Sequence, residues 1–148
     1  MKHWTLVLAA SLALSGCAVE VVVPSHHPAY LHALADLRAA RWALNHNPGG
    51  YAAIDDQTAA VAEINAAIGA IKQAAFDDNK NPDTHARADE ALDYRGRLHR
   101  ALDLLNDAHR DLAQREDNMD VIGLRNNSIE HVVSAAKLVK QSMYNAHF

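Results

Sequence analysis

Four stretches of the chain carry apolar residues three, four and seven positions apart, the period of one helix face, and no other pattern in the sequence competes with it. In the first, Pro28 lies near the N-terminus, Tyr30, Leu34, Leu37 and Leu44 form the stripe, and Asn45-His46-Asn47-Pro48-Gly49-Gly50 stops it. The second begins near Ile54 to Asp56 and places Ile54, Val61, Ile64, Ile68, Ile71 and Ala75 on one face. Ala59, Ala60, Ala66, Ala67 and Ala70 flank that face, and such small flanks let a neighbouring helix come close. A polar run, Asp77-Asp78-Asn79-Lys80-Asn81-Pro82-Asp83, reads as a loop. The third principal helix is expected to start around Tyr94 to Arg97, to carry Leu98, Leu102, Leu105, His109 and Leu112, and to end in Gln114-Arg115-Glu116-Asp117-Asn118. His109 on that stripe reads as a satisfied core histidine. Asn126-Asn127-Ser128 introduces the fourth, with Asn127 and Glu130 as a capping pair, and Ile129, Val132, Val133, Ala136, Val139 and Met143 carry it onward.

Composition agrees with this pattern. Twenty-nine alanines, 5% aromatic residues, six Gly and four Pro in 148 residues argue against a sandwich or barrel, and 49% apolar content argues against a disordered tail. Helices of about 18 to 23 residues with mostly short links pack most economically as an all-α, antiparallel up-down-up-down four-helix bundle. Gly49-Gly50 and Gly96 are isolated breakers, with no phosphate-binding fingerprint around them.

The N-terminal segment reads as processing signal. Met1-Lys2-His3 is a short positive start, and Trp4 to Leu14 is an uncharged apolar run too short to span a bilayer. The following Leu14-Ser15-Gly16-Cys17 resembles the lipobox of bacterial lipoproteins. That resemblance implies cleavage before Cys17 and a diacylglyceryl thioether on its sulfur. It divides the chain into a signal peptide at 1–16, a lipidated tether at 17–28 and a bundle domain at 29–148. Ala18 after the cysteine resembles the outer-membrane-directed pattern, so the expected location is the cell envelope, at the periplasmic face of the outer membrane in a diderm source. Two or three acyl chains, at about 0.8 kcal/mol per buried methylene, would make attachment effectively permanent. Ala18-Val19-Glu20-Val21-Val22-Val23-Pro24-Ser25-His26-His27-Pro28 has no helical period and is expected to be an extended tether of about 30 Å.

Cys17 is the only cysteine, so no internal disulfide is available, and the remaining length suffices for one core. Loss of Lys2 takes the formal charge from −4 to −5, which argues against nucleic acid as a partner.

Several blocks of the mature chain resemble landmarks of a family of small exported bacterial helical proteins of unassigned activity. They are Tyr30-Leu31-His32-Ala33-Leu34-Ala35-Asp36-Leu37-Arg38, Asp77-Asp78-Asn79-Lys80-Asn81, Gly96-Arg97-Leu98-His99-Arg100-Ala101-Leu102 and Glu116-Asp117-Asn118. The resemblance implies a long loop before Gly96 and supplies no catalytic residues. It directs attention to His32, Asp77, Asp78 and His99, which fall inside the matching blocks.

In an up-down-up-down order the start of the first helix, the second-to-third loop, the start of the third helix and the C-terminus share one end. His26, His27, His32, Asp77, Asp78, His85, His99 and His147 would then gather there. His32, Asp77, Asp78 and His99 form the candidate metal set, with Asp36, one turn from His32, orienting an imidazole. Imidazole with carboxylates suits Zn, Cu or Ni better than Mg or Ca.

Nucleophilic catalysis is not expected: Ser25, Thr58, Thr84, Ser128, Ser134 and Ser142 show no nucleophile elbow, and the one thiol is expected to be acylated. The chain is therefore read as a non-enzyme. Three roles are open to it: a lipid-anchored structural or partner-binding module docking an envelope protein, a metal-binding or metal-buffering protein, or a pH-responsive envelope protein. For the last, nine mature histidines could carry the charge from −5 to as much as +4.

Overall fold

A computed structural model describes residues 27–46, 54–83 and 94–146 of the chain. The expected signal peptide, Cys17 and most of the expected tether, together with His85, His147 and the Gly49-Gly50 breaker, lie outside these residues. Among the described residues there are four helices: α1 (Tyr30–Asn45), α2 (Ile54–Asp77), α3 (Tyr94–Leu112) and α4 (Ile122–Asn145). None of them is long and apolar enough to cross a membrane.

Each helix buries one stripe. Tyr30, Leu34, Leu37 and Leu44 of α1 are buried, as are Ile64, Ile68 and Ile71 of α2, Leu98, Leu105 and Leu112 of α3, and Val132 and Val139 of α4. Alanines fill the positions between them: Ala33, Ala40, Ala60, Ala67, Ala74, Ala101, Ala108 and Ala135 have no exposed surface. A core so rich in methyl groups brings helix axes toward the short end of the usual 8–10 Å range. Burial of the longer side chains supplies the main driving force, about 1.5–3 kcal/mol for each Leu or Ile.

The expected four-helix bundle is present, but the order of helix directions is corrected. α1 packs against α2 and α3, and α4 packs against the same two, leaving α2 and α3 on one diagonal and α1 and α4 on the other. Side chains fix the directions. His32 near the start of α1 meets Asp111 near the end of α3, and Arg97 at the start of α3 donates to the His46 carbonyl just beyond α1, so these helices are antiparallel. Asn145 at the end of α4 reaches Asp56 at the start of α2, and His131 reaches Glu63, so that pair is antiparallel too. His27, just ahead of α1, meets Asp78, just past α2. The order is therefore up-down-down-up, with residues 78–93 joining opposite ends of the bundle.

The start of α4 differs from expectation. α4 begins at Ile122, after Val121, so Asn126-Asn127-Ser128 lie inside it and Asn127 with Glu130 form no cap. The turn that launches α4 comes earlier, where Asn118 Oδ1 accepts the Asp120 backbone N–H at 3.1 Å. Ser128 is buried because its hydroxyl bonds back to the Leu124 carbonyl at 2.7 Å, which satisfies it within the helix. At the end of α2, Asn79 adopts φ 57°, and the Asn79 and Lys80 N–H groups donate to the Phe76 and Ala75 carbonyls. That pair of bonds is a Schellman closure with Asn79 in the left-handed position.

The bundle includes residues ahead of position 29. Pro28 is fully buried, and His27 packs between the ends of α2 and α3, so both residues belong to the bundle.

Candidate functional site

Among the described residues, the end of the bundle that gathers the start of α1, the ends of α2 and α3 and the start of α4 holds two groups of one histidine and two carboxylates. The first is His27, Asp78 and Glu116; the second is His32, Asp36 and Asp111. In each group one ligand-type atom from every member lies within 4.8 Å of the others.

The His27 group is closed. Glu116 leaves the end of α3 in the expected position, and its side chain is 0% exposed. Its Oε1 accepts from His27 Nδ1 at 2.9 Å and from the Asn118 backbone N–H at 2.7 Å; its Oε2 accepts the Tyr30 hydroxyl at 2.5 Å. Burial pushes the Glu116 carboxyl upward, but the bonds from Tyr30, Asn118 and His27 outweigh it and hold the group below the usual carboxylate range. The Tyr30 phenol is pushed far up, by burial first and then by the Glu116 carboxylate it bonds. Asp78 Oδ1 lies 3.2 Å from His27 Nδ1, and its Oδ2 accepts from Lys80 Nζ at 3.1 Å. His27 Nδ1 faces two acceptor oxygens, so it carries the proton. Lys80, placed by the Asn79 turn, also lies over the Tyr30 ring at 5.6 Å.

The His32 group is open. His32 and Asp36 share a face of α1, and α3 brings Asp111 across, with His32 Nδ1 2.7 Å from Asp111 Oδ2. The His32 side chain is 72% exposed. Asp36 Oδ2 is buried and has no hydrogen-bond partner among the described residues. Burial raises the Asp36 carboxyl above its ordinary value, with neighbouring Asp111 adding to the rise and His32 opposing it. The Asp111 hydrogen bond and charge raise His32.

The structure thus divides the candidate metal set. His32 goes with Asp36 and Asp111, and Asp78 goes with His27 and Glu116. Asp77 is the last residue of α2 and its Oδ1 accepts from Gln73, on the exposed surface. His99 lies at the start of α3, the opposite end of the molecule from His32, because α3 runs antiparallel to α1. Asp36, expected to orient an imidazole, stands instead beside His32 as an equal member of its group.

Three members were not in the candidate set: His27, Asp111 and Glu116. The His32–Asp36 spacing is visible on one helix, but Asp111 reaches it only through the α1–α3 pairing. Glu116 also caps the following turn by accepting the Asn118 backbone N–H, and Arg125 donates to the Gln114 carbonyl.

Other histidines have separate surroundings. His131 pairs with Glu63 at 2.6 Å, and His46 stacks on Trp42 at 4.4 Å between ring centroids. His109 is half-buried and lines a cleft between α3 and α4 beside Leu105, Val132 and Lys137, so it is not a core residue.

No protein-family model, curated protein or solved structure matches the chain.

Proposed function

We propose that this chain is a lipid-anchored cell-envelope module with a structural or partner-binding role, held to the membrane through Cys17. The observation that carries this reading is Leu14-Ser15-Gly16-Cys17 directly after an apolar run, ten residues ahead of His27. Packing of His27 and Pro28 into the bundle supports it further, because the tether then leaves from a fixed point. Ten residues reach at most about 33 Å, so the end bearing both histidine–carboxylate groups would face the lipid surface. In this reading attachment comes from the acyl chains, and the bundle presents its far end and flanks to an envelope protein. Blocking lipoprotein signal cleavage with globomycin, or Cys17→Ala, is expected to change the membrane fractionation of the protein. Unchanged fractionation under both treatments rejects the reading.

A second reading, a metal-binding or metal-buffering protein taking Zn, Cu or Ni, is favoured by the gathering of one imidazole and two carboxylates twice at one end. Calorimetric titration of the purified chain with each ion tests it, and absence of saturable binding for all three rejects it.

A further inference from the structure

Of the two histidine–carboxylate groups, only one has unused capacity. In the His27 group both Glu116 oxygens accept hydrogen bonds and Asp78 is held by Lys80 and His27, so a cation there would have to displace Tyr30, Asn118 and Lys80 donors. The His32 group has the opposite character. Its imidazole is on the surface, giving an entry path, while Asp36 Oδ2 is buried without a donor among the described residues. A buried carboxylate oxygen with no partner is an unmet electrostatic demand, and the neighbouring Asp111 carboxylate increases it. Arg100 and Arg110 act on Asp36 electrostatically, yet Asp36 Oδ2 still has no hydrogen bond from either.

We propose that His32, Asp36 and Asp111 bind one divalent transition-metal ion, with solvent completing its shell. This rests on the metal-binding reading above and gives it an address. One nitrogen and two oxygen donors form the three-ligand arrangement that leaves an open coordination position, and they fall short of the six to eight oxygens that calcium takes. Around zinc, with bonds of about 2.0–2.1 Å, tetrahedral ligands stand roughly 3.3 Å apart. The three donors need to close from within 4.8 Å to that spacing. Most of that movement falls to His32, whose exposed ring can swing from its hydrogen bond with Asp111. The i,i+4 placement on α1 supplies two ligands from one rigid element, and α3 supplies the third, so binding would also clamp α1 to α3.

The test uses the full chain carrying Cys17→Ala, which removes the only thiol, purified in mild detergent and titrated with zinc chloride by calorimetry. His32→Ala, Asp36→Asn and His131→Ala are compared in that background, with far-UV circular dichroism as a check on folding. One equivalent of zinc is expected to bind, with affinity falling tenfold or more in His32→Ala and Asp36→Asn and unchanged in His131→Ala. Because His32 is exposed, its substitution leaves the fold intact and carries the test even where Asp36→Asn does not fold. No saturable zinc binding by the parent overturns this site, and when copper and nickel also fail to bind, the metal-binding reading falls with it. Binding that survives His32→Ala undiminished overturns the site alone.

Discussion

Glu116 keeps its negative charge inside the protein because three donors meet it: the Tyr30 hydroxyl, the Asn118 backbone N–H and His27 Nδ1. Their combined pull exceeds the cost of burial, so its folded pKa lies below the ordinary carboxylate value of 4.5. The stabilisation this represents is present above about pH 4.5 and is lost as pH falls through the lowered folded value. Asp36 works in the opposite direction: its raised folded pKa means that stability improves as pH falls through it, offsetting part of the loss. Tyr30→Phe keeps the ring packing and removes one hydrogen bond to a charged group, so it should cost about 1.5–3 kcal/mol at pH 7. Urea denaturation at pH 7 and pH 3 is the check: the deficit relative to the unsubstituted chain should shrink at pH 3, below the 4.5 at which the carboxyl of the unfolded chain takes up its proton. An equal deficit at both values would mean that Tyr30 does not act through the carboxylate. The pairing itself was not legible in the sequence, since Tyr30 and Glu116 are far apart in the chain and meet only through α1–α3 packing.

At the scale of single elements, stripes predicted the bodies of the helices well and their ends unevenly. Tyr30–Asn45 and Tyr94–Leu112 fall where the apolar period and its stop signals place them. The start of α4 was misread because Asn126-Asn127-Ser128 has the composition of a cap, whereas Ser128 satisfies its hydroxyl on the Leu124 carbonyl and stays helical. Composition cannot separate those two uses of a serine. The end of α2 was signalled by Asp77-Asp78-Asn79, but not its geometry: Asn79 at φ 57° turns the chain so that Asp78 and Lys80 both face the His27 group. Asn79→Ala should therefore cost about 1 kcal/mol, while Asn79→Gly should be neutral or stabilising, because only the alanine is strained in the left-handed region. Thermal melts of the two variants distinguish this from a contact effect, which would penalise both.

For the whole molecule, the order of helix directions decides where chemistry can assemble. With α1 and α3 antiparallel, His99 lies about 18 Å along α3 from Asp111, the residue that meets His32. Spin labels at positions 32 and 99 should consequently stand on the order of 10 Å farther apart than labels at 45 and 99, measured by pulsed dipolar spectroscopy. The reverse ranking would restore the sequential order and reunite His32 with His99. The all-α class, the four amphipathic faces, their small-residue flanks and the His32–Asp36 spacing are legible along the chain, because each is a matter of period within one helix. Which helix faces meet, and with them Asp111 beside His32 and Glu116 beside His27 and Tyr30, emerges only from packing. The reason is physical: residues 78–93 can reach about 50 Å when extended, against about 28 Å for the length of α3, so the chain between α2 and α3 permits either direction for the third helix. An apolar stripe requires burial without naming its partner. The partner is chosen by packing among all four helices, which no single stretch of sequence contains.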